Sequence, residues 1–463
     1  MELICAGDRR FWGDSDTQTI QNAVDYAQQT GIGKVTIPRI NERTGENVWN
    51  LDKAVLLPSD MTVILDNCHL RHADDSYDNL FRNKLCYTRE GCKPDGEQYN
   101  IRLIGVGSPL LDGGKGNGRC EQLWRDNPGK YPPMVWNSAI HFANVRNFEI
   151  RGLNFYETRY WAVAFHFCRW GTISDLHFEN HGIYENQDGI DLRMGCEYIT
   201  IQNISGVTGD DTVALTTFPW STHADGLKPE GKSMDIHDIT INNIISSSHG
   251  CGILRFLCEG GDRIYNVTVD GIKDTTDSIS GTSVIVGTAD NHFADPPHVM
   301  GDFKNITIRN ITTCAQHAIS FSEACQDMVV ENIFAYGPGE IGLRFYTNFE
   351  CDNVIIRNVS IRSHEETLDC VFAMHPNPDR VLKNLKIENV CATRAKYVFR
   401  GMEFPVEHLS VEEPSEGWFT QTVPKLKSAY GRYHYMAWGK VIQNRPADNR
   451  YDGTLKTPAE MAR

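Results

Sequence analysis

The sequence predicts an all-β fold, a single-stranded right-handed parallel β-helix, on three observations. A short strand pattern recurs along most of the chain, its interval leaves no room for helices between strands, and one amphipathic segment lies near the N-terminus. Repeats of this kind mark a solenoid, in which each coil buries its inward residues against the next.

Residues 16–30, DTQTIQNAVDYAQQT, read as a helix, with Asp16 as N-cap candidate and Ile20, Ala23, Val24 and Ala27 as its apolar face. A solenoid needs its open end covered, and this helix supplies the cover. GIGKVTIP then reads as a turn and a first strand. The repeats run through NFEIRGLNF from Asn147, TISDLHFEN from Thr172, YITIQNISG from Tyr198 and DITINNIIS from Asp238. NVTVDGI from Asn266, NITIRNITT from Asn305, MVVENIFAY from Met328, NVIIRNVSI from Asn353 and NLKIENVCA from Asn384 continue them. Each alternates apolar residues, so one face points inward every second residue. Each then passes through Asn or Gly, and Asn tolerates the left-handed backbone that bends a chain between strands. The interval starts at about 22 residues, short of the roughly 30 that a βαβ unit needs.

Asn203, Asn243, Asn310 and Asn358 hold matching coil positions and are expected to form a hydrogen-bonded ladder. A β-sandwich would account for the strand density but not for the recurring Ile-x-Asn-Ile/Val signature. The repeat fades after residue 402. Residues 1–402 are therefore expected to form the β-helix domain. Residues 403–463, with Trp418, Tyr430, Tyr433, Tyr435 and Trp438, are expected to pack on the helix or on a partner subunit.

Composition excludes several functions. With 40% hydrophobic and 23% charged residues the chain has the apolar material for a long core, which argues against disorder. A net charge of -15 repels phosphate backbones, so no nucleic-acid partner is expected. No run approaches the 18 or so consecutive apolar residues of a membrane span. The first residues carry no basic region followed by an apolar core, so a cytoplasmic location is expected. The fourteen cysteines include no CxxC pair, which points to reduced, buried thiols and to no metal or other cofactor. A homo-oligomer is left open.

The chemistry is expected where the repeat carries polar groups that are costly to bury: Asn186-Gln187-Asp188-Gly189-Ile190-Asp191, Gly209-Asp210-Asp211 and Ser248-His249-Gly250. Stacking Ile190 and Leu192 on Val213 and Leu215 places Asp188 beside Asp211, roughly 4.8 Å apart in backbone terms. Matching Cys251 and Ile253 to the same columns puts His249 in line with both. Glycines 189 and 250 suggest a bend that turns the polar side chains outward. Taken singly, Asp-Gly and Asp-Asp merely fill turns. Three such motifs in register instead form a cluster of like charges, in which one carboxyl is driven to hold a proton. Glycoside hydrolysis requires that pairing, a protonated acid for the leaving oxygen and an ionised carboxylate for water or sugar.

NQDGID, GDD and SHG, in this order, resemble the NTDGID, GDD and GHG motifs of the polygalacturonase-like glycoside hydrolases of family 28. The N-terminal DTQTIQNAVDYAQQTGIGKVTIP is similar to the capping segment of the wider pectin-lyase-like fold. The resemblance implies a glycosidase acting on pectin-type or related oligosaccharides with inversion. It implies Asp210 as general acid, Asp188 and Asp211 as the pair that activates water, and His249 as support for the acid or the sugar. Asn186 would orient the site, and Asp191 matches the second aspartate of the motif.

The chain departs from the family where galacturonate-cleaving members carry Arg-Ile-Lys. The corresponding stretch, Gly281-Thr282-Ser283-Val284-Ile285-Val286-Gly287, holds no cation. Arg255, Arg193 or Arg344 can replace those cations in part, and Trp161, Trp170 and Trp220 are candidates to stack on sugar rings. The segment around Phe218–Lys232 reads as a loop over one side of the groove, and an exo-acting mode is expected. Two other readings remain: a polysaccharide lyase or epimerase, and a non-catalytic carbohydrate-binding β-helix.

Overall fold

The computed structural model describes residues 2–74, 76–115, 134–181, 186–217, 227–276, 281–287, 298–336, 341–346, 348–362, 368–374, 380, 382–392, 395–400, 406–407 and 410–411. These residues form two compact units: Met1–Ile241 with Ile245–Gly250, and Asn242–Ile244 with Cys251–Arg463. Both are built as coils of a right-handed parallel β-helix. No helix among the described residues is long and apolar enough to cross a membrane.

In the first unit the helix Asp16–Gln29 buries Ile20, Ala23, Val24 and Ala27 completely, as its periodicity requires. Its N-cap is Ser15, whose hydroxyl accepts from the Gln18 N–H at 3.2 Å. Asp16, the expected cap, is instead the first helical residue. Its buried carboxylate accepts from Asn41 Nδ2 and from the Asn50 N–H, both at 2.7 Å, and pairs with Arg43. A carboxylate this far from water is better satisfied by three donors than by one cap bond.

Two ladders of parallel strands wrap the core of this unit. One stacks Lys34–Ile37, Thr62–Asp66, Gln98–Val106, Val145–Arg151, Arg169–Glu179 and Glu197–Thr208. The other stacks Val55–Leu57, Phe81–Asn83, Ile140–Ala143, Val163–His166, Ile190–Arg193 and Val213–Thr216. Like residues meet between coils. Phe155 stacks on Phe178 in register at 5.1 Å, Phe142 meets Phe165 in register at 6.0 Å, and Phe148 of the first ladder stacks on Phe165 of the second at 4.8 Å. Continuous burial of identical columns replaces the sequence-distant packing of an ordinary core.

The second unit repeats the arrangement. Its long ladder runs from Ile264–Asp274 through Phe303–Thr313, Cys325–Tyr336 and Cys351–Arg362 to Leu382–Ala392. The short strands Val406–Glu407 and Ser410–Val411 still pair on the last of these. The rest of 403–463, including all five aromatics of the expected extension, lies outside the described residues.

The asparagine ladder holds for Asn310 and Asn358, with Asn332 between them, whereas Asn203 bonds an aspartate. Asn332 donates to Asn310, Asn358 to Asn332 and Asn389 to Asn358, each at 2.9 Å, and all four have φ between 48° and 61°. In the first unit Asn203 donates to Asp175 at 3.0 Å in the same column. The side chain that tolerates the left-handed turn also ties it to the turn of the neighbouring coil. Cys5, Cys68, Cys86, Cys168, Cys196, Cys258, Cys325 and Cys351 are not in disulfides.

Candidate active site

The register expected from the apolar residues is the one observed. Ile190 pairs with Val213 and Leu192 with Leu215, and the Gly189 N–H donates to the Asp211 carbonyl at 2.9 Å. Asp188 and Asp211 thus stand on neighbouring coils, each only 4% exposed. Asp210 is half-buried, and its carboxylate is held by two main-chain donors. The Asn186 N–H reaches Oδ2 at 2.9 Å and the Asp211 N–H reaches Oδ1 at 3.0 Å. A carboxylate oxygen of Asp210 lies within 4.8 Å of one of Asp211.

Hydroxyls that the motifs did not single out fix this turn. Thr208 Oγ1 donates to the Asp210 carbonyl at 2.7 Å, and Ser248 Oγ to the same oxygen at 2.8 Å. Thr208, Thr212 and Ser246 continue the network through two 3.0 Å contacts.

His249 is exposed, and its N–H donates to the Thr208 carbonyl at 3.0 Å. That bond sets it level with Gly209, two positions from the alignment with Asp211 that the apolar columns suggested. The chain leaves its strand after Ser248, so the columns no longer govern the register there. Neither Gly189 nor Gly250 adopts a left-handed backbone. Both are required by close coil contact: a Cβ would lie 2.5 Å from the Thr212 carbonyl oxygen at Gly189 and 2.6 Å from that of Gly209 at Gly250. Both glycines lie in bends, as expected, and the Asp188 carboxyl is nonetheless buried.

That burial has an electrostatic consequence. Desolvation, followed by repulsion from Asp191, Asp210 and Asp211, pushes the Asp188 carboxyl well above the usual carboxylate range. Asp191, fully buried, is raised in the same way by desolvation against the opposing pull of Arg193. Arg193 Nη1 sits 3.5 Å from Asp191 Oδ1, with its guanidinium 4.3 Å from the Trp161 ring centroid. Arg193 is therefore a buried structural cation rather than a surface one, and Trp161, at 2% exposure, packs on it. Both members of the Asp188–Asp191 pair are thereby shifted toward the protonated form.

A second polar group escaped the sequence reading. His141 and His166 occupy outward positions of the strands Ile140–Ala143 and Val163–His166, yet both are completely buried. Desolvation keeps both imidazoles neutral, with His141 lowered to about 3. The Tyr87 hydroxyl is hydrogen-bonded to His141 Nδ1, and His141 Nε2 to His166 Nδ1 at 2.8 Å. His166 is next in register to Arg193. The signal was the alternation itself: IHFA, VAFH and IDLR place a polar residue at the second position, the fourth or both, where an ordinary outer face would be solvated.

The remaining expected residues stand elsewhere. Arg255 lies in the second unit, with Nη1 donating to Cys251 Sγ at 2.8 Å. Arg344, in the same unit, stacks on Tyr346 at 4.6 Å. The stretch 281–287 forms the strand Thr282–Val286, bare of cations as the sequence requires. Trp220 and most of the expected loop from Phe218 lie outside the described residues. Trp170 is exposed on the other strand ladder.

Residues 94–225 match the family model Glycosyl hydrolases family 28, a span that contains Asn186, Asp188, Asp191, Asp210 and Asp211. The chain is 24% identical over 277 residues to an Aspergillus niger protein assigned as galacturan 1,4-alpha-galacturonidase A, covering 56% of each. It spans little more than half the length of the curated relatives it matches. Among solved structures it is similar to the A-module of the mannuronan C-5 epimerase AlgE4 of Azotobacter vinelandii. That match has 14% identity and a TM-score of 0.58, over 88% of this chain and 100% of that one. It is also similar to PfbA, a surface adhesin of Streptococcus pneumoniae, with 13% identity and a TM-score of 0.55, over 89% of this chain and 92% of that one. At such identities these two structures establish the fold alone. The family match over the motif-bearing coils, together with the curated relatives, makes the chain similar to the glycosyl hydrolases of family 28.

Proposed function

We propose that the protein hydrolyses O-glycosidic bonds of pectin-type oligosaccharides, with inversion, through Asp188, Asp210 and Asp211. One observation carries the reading. The Asn186 N–H holds the Asp210 carboxylate while the adjoining coils bring Asp188 beside Asp211, so three carboxylates from two motifs converge on one turn. Asp210, the most exposed of the three, is the group able to meet a glycosidic oxygen, and it serves as general acid. The buried pair Asp188 and Asp211 holds and activates the water, with His249 and Asn186 bordering the sugar.

The Asp210–Asp211 separation, within 4.8 Å, is shorter than the roughly 6.5–9.5 Å usual between the acid and the base of inverting enzymes. The reading therefore has the water held jointly by Asp188 and Asp211 rather than in a wide gap between two carboxylates. Attack from a chain end is supported by the cover over neighbouring coils. The outward residues of Ile140–Ala143, Val163–His166 and Ile190–Arg193 are all buried, beneath a group that includes Tyr87, Trp136, Tyr160, Trp161 and Leu227.

The test is incubation of the protein and of an Asp210→Asn variant with pectic and neutral oligosaccharides, following reducing ends and the anomeric configuration of the first product. Release by the unmutated protein alone, with inverted product and monosaccharide released from the outset, is the expected result. A retained product removes the inverting mechanism, and early release of mixed oligomers removes chain-end attack. No turnover across the panel removes the hydrolase reading itself.

A further inference from the structure

The column of left-handed corners that opens the long strands of the first unit is occupied by Asn100 and Asn147, then by Trp170 and Tyr198, then by Asp238. In the two middle coils a bulky aromatic side chain stands where asparagine serves elsewhere, with φ of 53° at Trp170 and 55° at Tyr198. That backbone is unfavourable for residues of this size, and nothing in the core requires them there, since they are 49% and 48% exposed. Their rings lie 6.4 Å apart at 33°, Arg169 covers Trp170 at 4.4 Å, and His237 meets the edge of Tyr198 at 5.7 Å.

The charges around the pair run in order along the coils, with Arg169 joining the two groups at 3.9 Å from Glu197. On one side Arg146, Arg169 and Lys232 surround the single carboxylate of Glu97 at 3.2, 2.8 and 3.0 Å. These three cations are more exposed than the carboxylate they share. On the other side Glu197 and Asp238 flank His237 at 3.2 and 2.7 Å. A chain with its sugar faces on the two rings and its acidic groups toward Arg146 and Arg169 meets complementary charge, against the negative charge of the protein as a whole.

We propose that Trp170 and Tyr198 form a secondary binding strip for an acidic polysaccharide, with Arg146, Arg169 and Lys232 facing its carboxylates. The strip lies on the strand ladder other than the one bearing Asp191 and Arg193. It rests on the hydrolase reading only for the choice of a pectic polymer.

Trp170→Asn and Tyr198→Asn, singly and together, install the residue that other coils carry at this corner, so folding is maintained or improved. Retardation in native gels containing polygalacturonate, with Asp210→Asn present throughout to stop turnover, reads the affinity directly. The double variant is expected to bind about tenfold more weakly, equivalent to about 1.4 kcal/mol. Its melting temperature should be no lower than that of Asp210→Asn alone. Equal retardation of both proteins overturns the strip, as does a parent that the polymer does not retard. A dimer that dissociates on substitution, seen by sedimentation, overturns it in favour of an interface between copies. Weakened binding, together with no cleavage of any oligosaccharide by the protein that retains Asp210, leaves the strip standing and removes the hydrolase. Cleavage with unchanged binding does the reverse.

Discussion

The backbone N–H of Asn186 donates to Oδ2 of Asp210 at 2.9 Å, joining two sequence motifs across one coil of the solenoid. The bond is made by main chain, so it aims the Asp210 carboxylate whatever the side chain at 186 does. Asp210→Asn keeps an acceptor in that position but cannot deliver a proton. It should lower kcat by about 10²–10⁴-fold, the usual share of general acid–base catalysis, with KM and melting temperature little changed.

The buried Asp188 carboxyl, raised by desolvation and its neighbouring aspartates, makes a pH-dependent contribution to stability. Its folded pKa exceeds its unfolded value, so the folded state binds more protons between the two, and stability falls as pH rises through that window. Asp188→Asn removes this slope. Relative to the unmutated protein it should melt higher at pH 8 than at pH 4, and an unchanged difference between those pH values would count against the protonated pair.

His72 and His141 show the opposite sign. Burial, aided by Arg159 at His72 and by Arg82 at His141, lowers both to about 3. Each folded pKa is below the unfolded value near 6.5, so stability is lost as pH falls below the latter. His141→Gln should flatten the melting curve between pH 6.5 and 4.5, and NMR of the folded protein at pH 5.5 should show these two imidazoles neutral.

Arg193 faces the buried Asp191 and lies flat against Trp161. Arg193→Met removes the cation that opposes the upward shift of Asp191, and should cost about 3–5 kcal/mol in denaturant unfolding at alkaline pH and less where Asp191 holds a proton. Arg193→Lys restores the charge but not the planar face, and should recover only part of the loss.

Asn332 donates to Asn310 and accepts from Asn358. Asn332→Ala removes two hydrogen bonds from a left-handed corner that alanine disfavours, and should cost about 2–3 kcal/mol. A surface substitution outside the ladder, such as Lys304→Ala, should stay within about 0.5 kcal/mol.

The coils were legible because one alternation serves every strand. Ile190 and Leu192 find Val213 and Leu215 by pattern alone, and with them Asp188 finds Asp211. The pattern stops informing where strands end, which is why His249 falls level with Gly209 and why the carbonyl packed against Gly189 is not legible in it. It also says nothing of what covers a strand from outside. His141, His166 and Arg193 occupy positions that alternation marks as outward, and only the cover over the strands converts them into buried groups with displaced pKa values.

Thr208 and Ser248 both direct their hydroxyls at the main-chain oxygen of Asp210, not at its carboxylate. What they secure is the place of the corner, while its carboxylate is aimed separately by the main-chain N–H groups of Asn186 and Asp211. Such a corner can exchange its reactive group for another acceptor without rebuilding its supports, whereas a basic residue would set a donor against two donors. The turn is therefore a place where a solenoid can change its chemistry within one class of side chain while its architecture stands still.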